Sequence, residues 1–403
     1  MTGGEPRAPS SAAIGGGTGE MTGDITDRAA DTATHPVTDA ETRQEPRQEH
    51  RAATGGATGA ATREATTGAT GGVTAERRTR GNVVLDGMGG DHGPAEAVAG
   101  AVLAHRVHGV PVLLTGREAD LLPLLRRHDA IGEIPVVHAP DAVPMSERGT
   151  AASPDSSLAI GCELVRDGTA AALVSAGSTG AVVSCAMRSI GRAEDVARPA
   201  LAVALPQLGG GTSILIDAGA TPDPTPEMIG RFALLGVEYA RNVLGVAAPV
   251  AGLLSIGSEP GKGNRLTRGA AQVLAETPVR FHGMIEGHDV LAGVVDVIVT
   301  DGFTGNVVLK TIEGCVRTTL AMVAAAGPAP PPALAEVGGR YDPRTHGGAA
   351  LLGLRGTVVV AHGSSTAETI ARACVVAHAL ARVPPASAAT TSSGSGPVRE
   401  GHD

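Results

Sequence analysis

Between Asn82 and Gly363 the chain repeats one pattern: short apolar runs, most of them ending in Gly or Asp, alternate with Ala- and Leu-rich stretches of helical length. The runs are NVVLD (82–86), VPVLLTG (110–116), IPVVHA (134–139), AALVSAG (171–177), ALAVALP (200–206), SILIDAG (213–219), PVAGLLSIG (249–257), DVIVTDG (296–302) and TVVVAHG (357–363). A strand with one face in water alternates apolar and polar residues. These runs are apolar almost throughout, which predicts strands covered on both faces. Buried strands alternating with helices predict an α/β fold, a mostly parallel doubly wound sheet with flanking helices.

The pattern starts late. The first 82 residues contain no Leu, Phe or Tyr, and their apolar content is mostly Ala among Gly, Thr and Pro. Such a segment cannot bury enough apolar surface to offset its ordering entropy. We therefore expect a disordered low-complexity tail over 1–81, one large domain over 82–383 and a second tail over 384–403. With nine basic and eleven acidic residues in its first 81 positions, the N-terminal tail reads as solvated chain, neither a polybasic anchor nor an acidic arm.

Charge and composition exclude several functions. The net charge is −9 with both signs mixed along the chain, which argues against a nucleic-acid surface, and no Trp with two Tyr and three Phe leaves few platforms for base stacking. No apolar run reaches the roughly 18 residues of a membrane span, and no basic flank precedes an apolar segment, so the expected location is the cytoplasm. Cys162, Cys185, Cys315 and Cys374 lie far apart and read as buried thiols. Neither a His-x-x-x-His nor a clustered Cys/His spacing for zinc occurs, so no metal is expected.

Ligands of open parallel sheets bind beyond the carboxyl ends of strands, and the polar residues gather just after the apolar runs. Asp86-Gly-Met-Gly-Gly-Asp91-His92, Ser175-Ala-Gly-Ser178-Thr179-Gly180, Asp217-Ala-Gly-Ala, Gly257-Ser-Glu-Pro-Gly-Lys262-Gly-Asn264, Asp301-Gly-Phe-Thr304-Gly-Asn306 and His362-Gly-Ser364-Ser365 form the set. Glycines such as Gly89 and Gly90 let backbone approach a ligand, and helix amino ends offer free amides; both suit an anion, most simply phosphate. Ser178 and Thr179 can equally be an ordinary helix cap, as can Asp86 or Asp91. The Lys262 loop lacks the Gly-Lys-Ser/Thr context of a P-loop, and the Asp86 loop lacks the dinucleotide spacing. No Gly-x-Ser-x-Gly elbow is present. His92 and His362 are candidate acids, bases or anion ligands; His282, His288 and His346 are weaker.

Seven ordered stretches carry a resemblance. VVLDGMGGDHGPAEAV, DSSLAIGCELVRDGTAAALVSAGSTGA, RPALAVALP, LIDAGA, GLLSIGSEPGKGN, GMIEGHDVLAGVVDVIVTDGFTGNVVLKTIEG and DPRTHGGAALLGLRGTVVVAHGSS cover almost all of residues 82–383. In their order they resemble the bacterial acyl-carrier-protein:phosphate acyltransferases called PlsX. The resemblance implies a fold like those of isocitrate dehydrogenase and phosphate acetyltransferase. It implies transfer of a fatty acyl group from acyl carrier protein to inorganic phosphate as the first step toward phospholipid, with a glycerol-3-phosphate acyltransferase downstream. It also implies a homodimer without a cofactor, and peripheral membrane contact at most.

On that basis Asp86, Asp91, Thr179, Asp301, Asn306 and Lys310 are the expected catalytic set. Gly89, Gly90, His92, Ser178, Gly180, Lys262, Asn264 and His362 are expected to bind substrate or phosphate, with Asp301, Asn306 and Lys310 on the wall opposite the Asp86 loop. The stretch before Asp155 lacks the family's basic residues, Ser178 and Thr221 stand where the family has Asn, and Ala326–Pro343 is too short and proline-rich for an amphipathic helical pair. A paralogue using coenzyme A or a dedicated carrier protein in secondary metabolism is the alternative. So are a non-catalytic carrier-binding module and a dehydrogenase of the related fold.

Overall fold

The computed structural model describes residues 81–146, 152–326, 332–341 and 347–382, all within one unit of the chain. The tails expected at 1–81 and 384–403 lie outside the described residues except for Gly81, and so does His346. Eleven strands form one sheet: β1 (Val83–Asp86), β2 (Val112–Gly116), β3 (Val136–His138), β4 (Ala172–Ser175), β5 (Ala200–Pro206), β6 (Thr212–Ile216), β7 (Val250–Leu254), β8 (Arg280–Ile285), β9 (Val297–Val299), β10 (Ala349–Leu352) and β11 (Thr357–Val360). Their order is β3-β2-β1-β4-β11-β10-β5-β6-β9-β7-β8.

Every apolar run of the sequence becomes a strand, and the continuous hydrophobicity has the expected cause. Val83 and Leu85 of β1 enter one core while Val84 enters another; Ile214 and Ile216 of β6 face away from Leu215. Helices α1 (Gly93–His108), α2 (Glu118–Arg127) and α9 (Ala367–Ala381) cover one face of the first half of the sheet, and α3 (Ser157–Arg166) and α4 (Thr179–Ser189) the other. Across the second half, α5 (Pro226–Leu244) and α6 (Arg265–Glu276) pack on one face and α7 (Gly302–Ala326) on the other. Phe232 of α5 is fully buried on β6, β7 and β9. Its truncation to Ala would cost about 3–5 kcal/mol.

The sheet is parallel within each half but not through its centre. β10 and β11 form a hairpin over Gly353–Gly356, and β5 and β6 form another over Gln207–Gly211, so β10 and β5 run antiparallel to their neighbours. A tight connection between adjacent strands leaves no other direction. Three successive reversals from β11 to β6 give the two halves opposite polarity. The carboxyl ends of β1, β4 and β11 therefore point to one edge of the sheet, and those of β6, β9 and β7 to the other.

One expectation is corrected. Cys162, Cys185 and Cys374 are buried, but Cys315 is exposed, because it lies on the outward side of α7. Within the stretch read as too short for a helical pair, the described residues form one helix, α8 (Pro332–Tyr341), which lies against α7; a Cβ at Gly338 would be 3.2 Å from Leu320. Proline at the first helical position sacrifices no hydrogen bond, so the prolines did not prevent the helix.

Candidate active site

Three turns meet beyond β1, β4 and β11, which are neighbours in the sheet. Asp86 ends β1 and is buried at 4% exposure. Its carboxylate accepts from Ser157 Oγ at 2.6 Å, Ser175 Oγ at 2.8 Å and the Met88 amide at 3.2 Å. One carboxylate thus ties the β1 loop to the start of α3 and the end of β4. Asp86 is a clasp beneath the surface of the site. Gly89 crosses the β4 turn so closely that a Cβ would lie 2.8 Å from the Gly177 nitrogen. Gly90 has φ +103°, a conformation open to glycine, and sits under the Gly363 carbonyl. The Asp91 amide donates to that carbonyl at 2.7 Å.

Against this glycine floor α4 begins. Ser178 occupies the cap position, yet its side chain makes no capping hydrogen bond, whereas Ser156, Thr225 and Asn264 do cap α3, α5 and α6. The first amides of α4, from Thr179 and Gly180 onward, are left without a side-chain acceptor, at the positive end of the helix dipole. His362 is exposed and accepts from the Ser364 amide through Nδ1 at 3.2 Å, with Ser364 Oγ 2.8 Å from the same nitrogen. In its neutral form the ring then carries its proton on Nε2, as an outward donor. His92 is also exposed and precedes α1 without a capping bond.

A second polar cluster lies beyond β6 and β9. Asp217 is fully buried; its Oδ1 accepts from the amides of Leu201 (2.8 Å), Gly219 (3.0 Å) and Ala220 (2.9 Å), and its Oδ2 from Thr221 (2.6 Å). Burial pushes this carboxyl above its ordinary value, and the four amides pull it back. The Thr221 hydroxyl donates to Pro199 O, and Thr221 O accepts from the Gly302 amide. Gly305 passes so near the Asp217 carbonyl that no Cβ fits.

Asp301 caps α7, taking the Thr304 amide and hydroxyl at 2.8 Å each. Asn306 is exposed beside Gly219, and Lys310 is exposed and paired with Glu313 at 2.8 Å. Asn264 caps α6 by accepting from Thr267, and Lys262 is exposed beside Gly257.

The structure therefore brings the turns that carry Asp86, Gly89, Gly90 and Asp91, then Ser178, Thr179 and Gly180, and then His362 together beyond three neighbouring strands. Asp301, Asn306, Lys310, Lys262 and Asn264 follow strands of the opposite polarity, so they do not form a facing wall by virtue of the sheet's carboxyl edge. Ser157 was not singled out by the sequence, although a Ser pair at a helix start is a recognisable signal; Asp217 was read as one of the six polar turns but was not given a role. Among the described residues no group of three or more His, Cys, Asp or Glu is placed to hold a metal ion, and no helix is long and apolar enough to cross a membrane.

Comparison with known proteins places this arrangement. The sequence model of a family described as fatty acid synthesis protein matches residues 82–387. A phosphate acyltransferase of Thermobifida fusca is 53% identical over 314 residues, 74% of this chain and 87% of the relative. One from Myxococcus xanthus is 45% identical over 316 residues, 74% of this chain and 90% of the relative. A phosphotransacetylase structure from Streptococcus pyogenes superimposes with a TM-score of 0.55 at 16% identity, over 76% of this chain and 97% of that one, which shows a shared fold. The chain is an acyltransferase and belongs to the fatty acid synthesis protein family, that of the phosphate acyltransferases.

Proposed function

We propose that the protein transfers a fatty acyl group from the thioester of acyl carrier protein to inorganic phosphate, giving acyl phosphate. The observation that carries this reading is the amino end of α4, whose cap residue Ser178 leaves the helix amides unspent over a glycine floor. A phosphate dianion fits such an end, where the helix contributes roughly half a positive charge. Phosphate is then the nucleophile: one of its oxygens bonds to the thioester carbon, the carbonyl oxygen becomes an oxyanion, and the carbon–sulfur bond breaks as the thiolate leaves. The protein supplies position and charge stabilisation rather than a covalent intermediate. In this reading Thr179, Gly180 and the His362 Nε2–H serve the phosphate and the oxyanion, while Asp91 borders the entrance.

The acyl phosphate would feed a glycerol-3-phosphate acyltransferase in phospholipid synthesis. A homodimer in the cytoplasm, in peripheral contact with membrane at most, completes the proposal. Incubation with palmitoyl-carrier-protein and phosphate, followed by hydroxylamine trapping, tests it: phosphate-dependent hydroxamate is expected. Release of free carrier protein without hydroxamate would overturn it.

A further inference from the structure

At the far end of α4 lies a cavity of about 680 Å³, lined by Met187, Gly191, Arg192, Asp195, Val196 and Arg355. Its charged lining is two arginines and one aspartate, and two further arginines lie beside it. Arg192 donates to Ala197 O at 2.7 Å, Arg231 to Glu194 O at 3.2 Å, and Arg198 rests on the Met187 sulfur at 3.9 Å. The Arg231 Nε is buried without a hydrogen-bond partner. Among the described residues none of Arg192, Arg198, Arg231 or Arg355 has a carboxylate in ion-pair contact. The guanidiniums of Arg192, Arg198 and Arg231 are held around the 191–198 loop by neutral atoms; of the four arginines Arg192 and Arg355 line the cavity itself, with Asp195 as the acid among its walls. Arginine arranged in this way matches a phosphate oxygen pair.

The position of the cavity suggests whose phosphate it is. Gly180, Ser184, Met187 and Gly191 follow one another at helical spacing, and none of the four is buried. They form an open edge of α4 with small residues toward its amino end. At 1.5 Å per residue the eleven residues of α4 span about 16 Å. Acyl thioesters of carrier protein and of coenzyme A share a pantetheine arm with sulfur at one end and a phosphate ester at the other. About twelve bonds separate the ester oxygen from the sulfur; counted as three bonds per residue of extended chain, they reach roughly 14 Å.

We propose that the Arg192–Arg355 cavity binds the phosphate ester of the acyl donor's pantetheine arm, which lies along α4 and delivers the thioester to Thr179. The inference rests on the acyl-transfer reading above. It assigns the two ends of one helix to two phosphates, the ester at the carboxyl end and the nucleophile at the amino end.

The test uses Arg192→Ala and Arg355→Ala with three donors: palmitoyl-carrier-protein, palmitoyl-coenzyme A and palmitoyl-pantetheine, which lacks the phosphate. Arg355 makes none of the backbone bonds that Arg192 makes, so its replacement guards against a loosened loop. Loss of a charge-assisted bond should raise KM for a phosphate-bearing donor roughly 10- to 100-fold. KM for inorganic phosphate should not change, and wild type and variants should converge on palmitoyl-pantetheine. Whichever phosphate-bearing donor wild type accepts, and the variants lose, identifies the source of the ester. An unchanged donor KM, or an equal loss with palmitoyl-pantetheine, would overturn the assignment while leaving acyl transfer standing. Wild type inert toward all three donors would overturn the acyl-transfer reading and the assignment with it.

Discussion

Asp217 offers the sharpest test of how the second half of the sheet is held, because its two oxygens carry unequal loads. Oδ1 accepts three amides and Oδ2 one. Replacement by Ala strands all four. The amides of Leu201 and Thr221 lie in the interior, while those of Gly219 and Ala220 are part-buried and can turn to water. Two buried orphans at about 1–3 kcal/mol each give a loss of about 2–6 kcal/mol. Asn in its better orientation keeps Oδ1 and its three bonds, and sets an amide donor against the Thr221 nitrogen alone. That variant should lose about 1–3 kcal/mol. Urea unfolding followed by circular dichroism reads both. With a slope of about 3 kcal/mol/M, the midpoints should fall by roughly 0.7–2 M for Asp217→Ala and roughly 0.3–1 M for Asp217→Asn. An Asn variant as unstable as the Ala variant, or two variants indistinguishable from wild type, would refute the assignment of the load to Oδ1.

The same residue sets a pH dependence. Its folded value lies above 3.8, so from pH 3.8 up to that value the folded chain holds a proton that the unfolded chain has released, and the group's contribution to stability falls as pH rises. The advantage of wild type over Asp217→Asn should therefore shrink with rising pH across that window; an advantage that grows would contradict the burial argument. Ser178→Ala should leave the unfolding free energy from urea titration within about 0.5 kcal/mol of wild type, because this cap makes no bond, yet raise KM for phosphate; a cap's usual loss of about 1 kcal/mol would show that Ser178 is structural. Gly305→Ala must push the Asp217 carbonyl aside and should give little soluble protein, whereas a variant of normal yield and midpoint would refute the close approach. Glu96→Gln weakens the carboxylate that accepts from the Ala367 amide at 2.6 Å; a cost of about 1 kcal/mol is expected by thermal unfolding, and none if solvent serves α9 equally well.

Much of the fold was legible because burial on both faces writes itself into a strand as unbroken hydrophobicity, as in Val83, Val84 and Leu85. β8 escaped notice because Arg280–Ile285 lies at the sheet's edge and alternates between exposed and half-buried residues. β10 escaped because Ala349-Ala-Leu-Leu has the composition of a helix and becomes a strand through its hairpin with β11. The geometry of the candidate site was legible where a turn needs particular residues, in the glycines after β1 and the start of α4. It was not legible where partners are distant: Asp86 meets Ser157 and Ser175 across 71 and 89 positions. The polarity of the two halves depends on three strand reversals at the centre, and no motif encodes their sum.

The insertion of β11 between β4 and β10 also bears on how the chain is made. About 180 residues separate Ser175 from Thr357, its register partner's strand. At a synthesis rate of about 5–20 residues per second, the edge of β4 waits roughly 10–40 s for that partner to leave the ribosome. During that interval Leu173 and Val174 present a bare apolar ladder of the kind that pairs with other chains. α9, which buries Gly100 of α1 beneath Ile370, arrives later still. A nascent chain halted before Thr357 should therefore be a better client for a ribosome-bound chaperone than one released whole.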